Sequence, residues 1–333
     1  MTAVRLVAAE RPRIIRRAVV TGAAGFIGSH LCLALLQQGA TVIGVDRRDP
    51  DTDSVAAANL TGALANPAFV PVTADLRTCA IEPLIIDADA VFHLAAIPGV
   101  RSSWGSDFDD YVSCNVMATQ RLMRSMTRLR VPRLVIASSS SVYGGSLHRP
   151  SKETDALRPL SPYAVTKLAA EQLCLAYAAL PGCPTTVVAL RYFTVYGPGQ
   201  REDMFMQRLL TAVAIGRSIQ IYGNGTQRRD FTYVDDAVAA TISAGATSAV
   251  SNKVINVGSG RDVCLTEVID QARRLVGQPV NVETRPKAAG DVPVTCADLS
   301  TARQLLGWAP TTDLATGMAV QLAWVQARRS SAV

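Results

Sequence analysis

Short hydrophobic runs alternate with helical segments along the first two-thirds of the chain. Runs rich in valine and isoleucine predict strands, and residues with a repeat near 3.6 predict the helices between them. The predicted strands are AVVT, TVIGVD, FVPVTADL, AVFHLAA, RLVIASSS and TTVVALRYF. The predicted helices are FIGSHLCLALLQQ before Gly39, a long segment from Tyr111 to Leu129, and a segment from Ser161. Strands alternating with helices predict an α/β protein with a parallel sheet.

The pattern changes after Phe193, where helices and short strands are mixed. Helices are expected at 204–215, 234–244, 266–276 and 314–328, with strands SIQIYG and VINVGSG and the turn NGTQRRD between them. We therefore expect residues 17–193 to form the main sheet domain, with a segment near 229–257 returning to it. Residues 194–228 and 258–330 should form a smaller, interleaved lobe, and residues 1–16 a basic tail.

Composition narrows the class of protein. The chain has 333 residues, 49% of them hydrophobic, which is enough for a large core. Its seven cysteines are scattered and its three histidines dispersed, so we expect neither disulfides nor a metal site and favour the reducing cytoplasm. The net charge of +6 comes in large part from arginines near the start, which we interpret as a solvated tail. No apolar stretch long enough for a membrane span and no nucleic-acid-binding motif is visible.

The segment VVTGAAGFIGSHL predicts a dinucleotide-binding loop. Gly22, Gly25 and Gly28 fall where a strand turns into a helix, so bare backbone can approach a pyrophosphate and the helix N-terminus can meet its charge. The next predicted strand ends at Asp46, whose carboxylate can bind both adenosine ribose hydroxyls and would repel the extra phosphate of NADP. We therefore predict NAD as the cofactor, although either arginine after Asp46 could accommodate NADP.

A tyrosine and a lysine in SPYAVTKLAAEQL are candidates for redox chemistry. Tyr163 and Lys167 are four residues apart on a predicted helix and so share one face. A neighbouring ammonium favours the phenolate, so we expect it to lower the pKa of Tyr163 and let this residue act as a base.

Several further motifs follow in a fixed order: ADL at Asp75, HLAA at His93, NVMATQ at Asn115, then SSSSVYG, RYFTVYGPGQ and RRDFTYVDD. With these motifs the chain resembles, along nearly its whole length, an extended short-chain dehydrogenase/reductase of the nucleotide-sugar epimerase/dehydratase family. The resemblance implies a Rossmann-type doubly wound parallel sheet with a smaller, interleaved α/β substrate-binding lobe. It also implies NAD as cofactor and a homodimer formed through helices that include Asn115 and Tyr163.

The resemblance assigns roles to individual residues. It implies that the Ser139 hydroxyl holds the reacting sugar oxygen, that Tyr163 is the base and Lys167 its electrostatic helper, and that His93 is structural. The residues expected at the cofactor are Gly22, Gly25, Phe26, Ile27, Gly28, Asp46, Arg47, Asp75, Leu76, Leu94, Ala95, Ala96, Asn115, Tyr163 and Lys167. Those expected at the substrate are Arg101, Ser139, Ser140, Ser141, Tyr163, Thr194, Arg201, Arg229 and Asp291.

The two residues after Ser139 favour one reaction of this family. Its members share a first step, in which carbon 4 of the sugar loses hydride to NAD while the tyrosine removes the hydroxyl proton. Dehydratases carry Asp-Glu just after the catalytic hydroxyl and decarboxylases usually carry a glutamate in that stretch, whereas this chain has Ser140 and Ser141. Epimerisation needs no additional acid, because the 4-keto sugar turns over and takes its hydride back on the other face.

The segments HLAAIPGVRSSW, ASSSSVYGG and RYFTVYGPGQREDM resemble those of UDP-glucuronate 4-epimerases more than those of UDP-glucose 4-epimerases. The UDP-glucose enzymes commonly have Asn in place of Thr194. Oxidised glucuronate is a β-keto acid that loses carbon dioxide when its carboxylate bond aligns with the carbonyl π-system. Hydroxyls of Ser140, Ser141 and Thr194, with the charge of Arg201, could hold the carboxylate out of alignment. Alternatively, the serines cap backbone and Arg201 binds a phosphate or lies at the surface.

For the nucleotide, the resemblance places Arg229 on the diphosphate and Asp291 at the nucleoside, with Arg101 a further candidate for an anionic group. The family often has an arginine where this chain has Ala288, and Lys287 could substitute for it. UDP is the expected carrier and dTDP the alternative.

The predicted function is therefore NAD-dependent inversion of carbon 4 of a UDP-sugar, UDP-glucuronate to UDP-galacturonate. The alternatives are a UDP-glucose or UDP-N-acetylhexosamine 4-epimerase, a UDP-glucuronate decarboxylase and, from a different class, a non-catalytic NAD-binding module.

Overall fold

A parallel sheet of seven strands forms the centre of the molecule. The computed structural model describes residues 13–145, 149–248, 250–286 and 290–330. The strands are β1 (Arg17–Thr21), β2 (Thr41–Asp46), β3 (Phe69–Thr73), β4 (Ala90–His93), β5 (Arg133–Ser139), β6 (Thr186–Tyr192), β7 (Thr194–Tyr196), β8 (Ile219–Tyr222), β9 (Arg228–Tyr233), β10 (Lys253–Val257), β11 (Asp262–Cys264) and β12 (Val282–Arg285). The large sheet has the order β10-β6-β5-β4-β1-β2-β3, and all its neighbouring strands are parallel.

Helices cover both faces of this sheet. The α-helices of the described residues are α1 (Phe26–Gln37), α2 (Ser54–Leu64), α3 (Glu82–Ile85), α4 (Phe108–Val112), α5 (Ala118–Leu129), α6 (Pro162–Ala178), α7 (Phe205–Ala214), α8 (Val234–Ala246), α9 (Leu265–Val276), α10 (Ser300–Leu306) and α11 (Leu314–Ser330). Of these, α7, α9 and α11 pack together on the smaller lobe. Val20 of β1 packs into the core shared with α1, α2 and α8, whereas Val19 packs into the core shared with α3, α5 and α6. This alternation is what a strand buried on both faces requires, and the predicted doubly wound α/β fold is confirmed.

Two small sheets form a second lobe. Strands β11, β9 and β7 make one sheet, and β12 pairs with β8 in the other. Residues Arg228–Asp230, expected in a turn, instead begin β9, because their backbone pairs with β11 and β7. Of the segment expected to return to the main sheet near 229–257, β9 therefore stays with the small sheet, and β10 joins the large sheet beside β6.

The start of the chain departs from the expected tail. Residues 1–12 lie outside the described part of the chain. Arg13 donates its backbone N–H to Ala246 (2.7 Å), and the backbone N–H groups of Arg16 and Arg17 both reach the Asp89 carboxylate (2.8 and 2.9 Å). The backbone of residues 13–16 is therefore attached to the domain, whereas the side chains of Arg13 and Arg16 are exposed to solvent.

Among the described residues, none of the helices is long and apolar enough to cross a membrane. The same residues contain no cluster of three or more histidine, cysteine, aspartate or glutamate side chains that could hold a metal ion.

Candidate active site

A single cleft runs along the carboxyl ends of the large sheet and continues into the smaller lobe. Its volume is about 1560 Å³, larger than the 300–1,000 Å³ typical of pockets for one small ligand. Every residue expected at the cofactor or substrate lines it except Asn115. Open parallel sheets bind ligands at this edge, and the cleft has room for two extended molecules in series.

The glycine loop forms one end of the cleft. Gly22 has a φ of +74°, and a Cβ there would lie 2.7 Å from the backbone nitrogen of Ala95. A Cβ on Gly28 would lie 2.0 Å from the carbonyl oxygen of Gly22, so glycine lets α1 pack directly onto the loop. No side chain caps the N-terminus of α1 at Gly25, which leaves the amides of its first turn able to bind an anion. These features fit a dinucleotide pyrophosphate.

Asp46 is fixed at the end of β2. Its carboxylate accepts backbone N–H groups from Ala24 and Arg48, each at 3.0 Å, and its side chain is 12% exposed. The Arg48 guanidinium donates to the carbonyl of Ala24 and lies 3.7 Å from Asp46, whereas Arg47 lines the cleft. A carboxylate in this position can still accept from ribose hydroxyls, and the residues present fit NAD.

The predicted adenine contacts lie beyond β3. Asp75 and Leu76 line the cleft, and Arg77 forms a forked pair with the Asp75 carboxylate, with Nη2 at 2.7 Å from Oδ2. This hydrogen bond from Arg77 holds the pKa of Asp75 below its usual value.

Asn115 does not line the cleft itself, and the cofactor contact expected for it stays a prediction. Its amide accepts from the Ile97 N–H (2.7 Å) and donates to the Ile97 carbonyl (3.1 Å) and the Thr166 hydroxyl (3.0 Å). These bonds leave the side chain buried and committed to holding the cleft segment at Ile97 against α6.

His93 is enclosed by hydroxyl groups. Its ring nitrogens lie 2.7 Å from Thr21 Oγ1 and 2.9 Å from Thr119 Oγ1. Burial, with a smaller contribution from Lys167, lowers the pKa of His93 to about 3, so the ring is neutral at physiological pH. These contacts agree with the structural role expected for it.

Ser139, Tyr163 and Lys167 meet in the middle of the cleft. Ser139 ends β5, and α6 begins at Pro162 after Ser161, whose hydroxyl caps the helix by accepting from the Ala164 N–H (3.2 Å). Tyr163 and Lys167 therefore project from the first turns of α6 toward the end of β5.

The electrostatics of this group differ from the expectation. Burial raises the pKa of Tyr163, while hydrogen bonding with Ser139 and the charge of Arg201 act in the opposite direction. Burial also lowers the pKa of Lys167 to about 8, against the influence of Cys174 and Glu171. The predicted lowering of the tyrosine pKa is not found in the protein alone, because desolvation outweighs the groups that favour the phenolate.

Hydroxyl groups line the cleft next to this group. Ser140, Ser141 and Thr194 all face it, and Ser139 Oγ accepts the backbone N–H of Ser141 (3.1 Å), which fixes the turn. Arg201 also lines the cleft, but its guanidinium is paired with Asp203 through two hydrogen bonds of 2.9 and 2.7 Å. Arg201 therefore already has an anionic partner.

The far end of the cleft contains the two residues predicted at the nucleotide. Arg229 donates to Asp291 at 2.5 Å, and the two side chains are 15% and 17% exposed. Burial lowers the pKa of Arg229, an effect that Asp291 opposes. Arg101 lies across the cleft with its guanidinium 4.2 Å from the centre of the Tyr222 ring. Lys287 and Ala288 lie outside the described residues.

Asn59 and Tyr222 are examples of cleft residues that were not predicted from the sequence. Asn59 of α2 donates to the carbonyl of Ala24 (2.9 Å) beside the glycine loop, and Tyr222 supports Arg101. The Asp53 side chain caps α2 by accepting from the backbone N–H groups of Val55 and Ala56. The Asp-Ser pair at this point could have predicted the start of the helix that carries Asn59. No local sequence pattern predicts a role for Tyr222, because Arg101, the residue that it contacts, is 121 residues away.

Comparison with known proteins agrees with the family that the sequence motifs predicted. The model of the NAD dependent epimerase/dehydratase family matches residues 18–258. A protein of Bacillus subtilis (strain 168), described as an uncharacterized UDP-glucose epimerase, is 40% identical over 309 residues, which is 92% of this chain and 97% of the relative.

Two solved structures are also similar along almost their whole length. The UDP-glucuronic acid 4-epimerase from Bacillus cereus, in complex with UDP-glucuronic acid and NAD, is 37% identical with a TM-score of 0.89, covering 94% of this chain and 99% of that one. MoeE5 in complex with UDP-glucose and NAD is 44% identical with a TM-score of 0.86, covering 95% and 99%. MoeE5 has also been solved with UDP-glucuronic acid and NAD.

Proposed function

Because the chain belongs to the NAD dependent epimerase/dehydratase family, we propose that it is an NAD-dependent UDP-sugar 4-epimerase that interconverts UDP-glucuronate and UDP-galacturonate. One observation carries the proposal: Ser139, Tyr163 and Lys167 share a cleft with the dinucleotide loop, and the next positions, Ser140 and Ser141, carry hydroxyls where a dehydratase would carry acids.

We propose the following roles for the three central residues. The Ser139 hydroxyl holds the oxygen on carbon 4, and Tyr163 takes the proton from that oxygen and later returns it. Lys167, buried one turn further along α6, stabilises the phenolate by its charge. The glycine loop and Asp46 would hold NAD, which would supply an acceptor for the hydride of carbon 4 and give it back, so that the cycle would consume no cofactor.

Ser140, Ser141 and Thr194 are proposed to bind the carboxylate of the sugar. Their hydroxyls face the same cleft as Ser139, and each can donate one hydrogen bond. Held by several donors, the carboxylate cannot rotate its carbon–carbon bond into line with the 4-keto π-system, and the intermediate keeps its carbon dioxide. Arg201 assists through its field, since its guanidinium is paired with Asp203.

Arg229 and Arg101 are proposed to bind the diphosphate, and Asp291 the nucleoside. The Arg229–Asp291 pair supports this assignment, because a carboxylate beside the arginine orients it and a diphosphate can replace part of that contact. Because the two residues that follow Ser139 are serines and not acids, a decarboxylase or dehydratase is less well supported than an epimerase.

UDP-glucose is the second candidate substrate. The solved complexes of MoeE5 with UDP-glucose and with UDP-glucuronic acid indicate that a related cleft accepts either sugar. The Bacillus subtilis relative also carries UDP-glucose in its name.

A panel of UDP-sugars tests the proposal. The purified protein with NAD is incubated separately with UDP-glucuronate, UDP-glucose and UDP-N-acetylglucosamine, and products are identified by NMR. We expect UDP-galacturonate from UDP-glucuronate without carbon dioxide release. Turnover of a neutral sugar alone would contradict the carboxylate assignment, a UDP-pentose would indicate decarboxylation, and NAD binding without any turnover would indicate a binding module.

We also propose a cytoplasmic location and a homodimer. All seven cysteines are free thiols, as expected in a reducing compartment. Helices α5 and α6 pack together, and Met117 just before α5 and Val165 on α6, 54% and 47% exposed, are apolar side chains that a second copy could cover.

A further inference from the structure

A fully buried ion pair lies directly behind the candidate active site. Glu171 and Arg191 have side chains only 0% and 2% exposed. Two hydrogen bonds join them, from Arg191 Nε to Glu171 Oε2 (3.0 Å) and from Nη2 to Oε1 (2.6 Å). None of the roles proposed above uses this pair.

The Glu171 carboxylate connects three elements that carry the active site. Glu171 lies on α6, one turn after Lys167 and two turns after Tyr163. Its Oε2 atom also accepts the hydroxyl of Ser138 (2.6 Å), the residue that precedes Ser139 on β5. In the parallel register Ser138 is paired with Arg191 of β6, so one carboxylate ties the helix to the ends of both strands.

Arg191 extends the connection to the serine turn. It donates to the Tyr143 hydroxyl (2.9 Å) and to the carbonyl of Glu153 (3.3 Å), and its guanidinium stacks 4.8 Å from the centre of the Tyr143 ring. Tyr143 ends the 3₁₀ turn Ser140–Tyr143. That turn is therefore held through Ser138 before it and through Tyr143 at its end.

A pair of this kind is a weak source of stability. Removing two charges from water costs about as much as their attraction returns, and hydrophobic replacements of similar size are often neutral or stabilising. A network in which both members are fully hydrogen-bonded is better suited to fixing geometry.

We propose that Glu171 and Arg191 form a clamp that positions Ser139 relative to Tyr163 and Lys167. The clamp acts only through these residues and touches neither substrate nor cofactor. The inference rests on the roles proposed for Ser139, Tyr163 and Lys167, and it goes beyond them by assigning the positioning of all three to one buried pair.

The double variant Glu171→Met/Arg191→Met tests the clamp, because it removes both charges without leaving one unpaired. We expect kcat for the UDP-sugar to fall about 100-fold, since a displacement of about 1 Å can cost this much, while KM and NAD affinity change less than about threefold. The melting temperature should stay close to that of the native protein. An unchanged kcat in the folded double variant would overturn the proposal.

Two further variants complete the test. Ser138→Ala removes one bond of the clamp and leaves the Glu171 carboxylate paired with Arg191, so kcat should fall about fivefold while the protein stays folded at a slightly lower melting temperature. If the double variant does not fold, Ser138→Ala tests the clamp in its place, and full activity of Ser138→Ala would refute the clamp. Arg133→Met is the matched control, because Arg133 is buried at the other end of β5, where it donates to Thr247 and Val250. It should lower stability and leave kcat unchanged.

Failure of the proposed function gives a different result. If the native protein turns over no UDP-sugar, the proposed function is wrong. The clamp is then judged from crystal structures of the native protein and the double variant with NAD, in which a shift of about 1 Å between Ser139 and Tyr163 is expected. Unchanged positions would overturn it.

Discussion

At the scale of single residues, burial determines how the central group can react. Tyr163 and Lys167 are both desolvated, which raises the pKa of the phenol and lowers the pKa of the ammonium, so each is pushed toward its neutral form. The pKa of the tyrosine therefore lies above that of the lysine, and both groups are neutral between the two values. A bound cofactor with a positively charged ring would favour the phenolate, and the tyrosine would then be a base only when the cofactor is present.

The hydroxyl of Tyr163 is the first residue-scale test. The change Tyr163→Phe removes the proposed proton acceptor, so kcat should fall by about 10²–10⁴-fold with NAD affinity unchanged. Initial rates by NMR and a fluorescence titration with NAD measure the two quantities. Tyr177→Phe is the matched control, because Tyr177 lies on the same helix, where its hydroxyl accepts from Gln120 (2.7 Å) away from the cleft. Full activity of Tyr163→Phe would refute the mechanism.

The charge of Lys167 predicts the alkaline limb of the pH profile. With a pKa of about 8, the ammonium is charged at pH 7 and loses its proton as the pH rises through 8. We expect kcat/KM to fall about tenfold per pH unit above this midpoint, because the neutral amine no longer stabilises the phenolate.

The measurement is kcat/KM from pH 6 to pH 10, with NAD binding followed over the same range to exclude loss of cofactor. Lys167→Arg keeps a charge at all these pH values and should lose the alkaline limb, at a lower plateau. A rate that still rises between pH 8 and pH 9.5 in the native protein would show that Lys167 does not govern this limb.

At the scale of elements, the sequence predicted those strands and helices whose limits are set by local patterns. Strands β2 and β5 and helix α1 were placed within a residue of their observed ends, because period and flanking glycine are local signals. Helix α2 and strand β9 were missed. The alanine-rich α2 has little periodicity, and β9 follows a polar turn-like segment whose pairing with β7 and β11 depends on distant residues.

Packing of α1 onto the glycine loop gives the element-scale prediction. In Gly28→Ala the new Cβ would lie 2.0 Å from the Gly22 carbonyl oxygen, so the helix must move away from the loop. We expect NAD binding to weaken at least about tenfold and stability to fall by about 1–3 kcal/mol, despite the better helix propensity of alanine.

Gly62→Ala is the matched control, also a glycine to alanine change in a helix. A Cβ on Gly62 would meet only Leu33 at 3.5 Å, an ordinary contact, so α2 should gain about 0.5–1 kcal/mol with NAD affinity unchanged. Thermal unfolding and NAD titration measure both variants. Equal behaviour of the two would contradict the close-packing explanation.

At the scale of the whole molecule, the candidate site joins two kinds of structure. Asp46 and Ser139 end strands of the large sheet, and this edge was predictable because parallel strands align their carboxyl ends. Thr194, Arg229 and Asp291 come from the smaller lobe, where only family resemblance indicated them. Their placement, like the burial that shifts the pKa of Tyr163, results from contacts between distant segments that one local pattern does not encode.

The proposed homodimer is the prediction at this scale. Helix α6 carries Tyr163 and Lys167 into the cleft and exposes Val165 on its outer side, and Met117, the residue before α5, is also exposed. A second copy packed on this surface would therefore support the catalytic helix from behind. We expect light scattering to give twice the chain mass of 35.3 kDa for the native protein.

The double variant Met117→Asp/Val165→Asp should be monomeric, because two carboxylates in each copy would be buried without partners at the interface. Its kcat should fall, since α6 loses its support while the cleft residues remain intact. Val320→Asp is the matched control: Val320 is 44% exposed on α11, so this change should leave mass and rate unaltered. A native protein of single-chain mass would rule out the dimer. A monomeric double variant with full kcat would show that dimerisation does not support the site, and α6 would then be held in place by its contacts within one chain, Glu171 with Ser138 and Arg191 foremost among them.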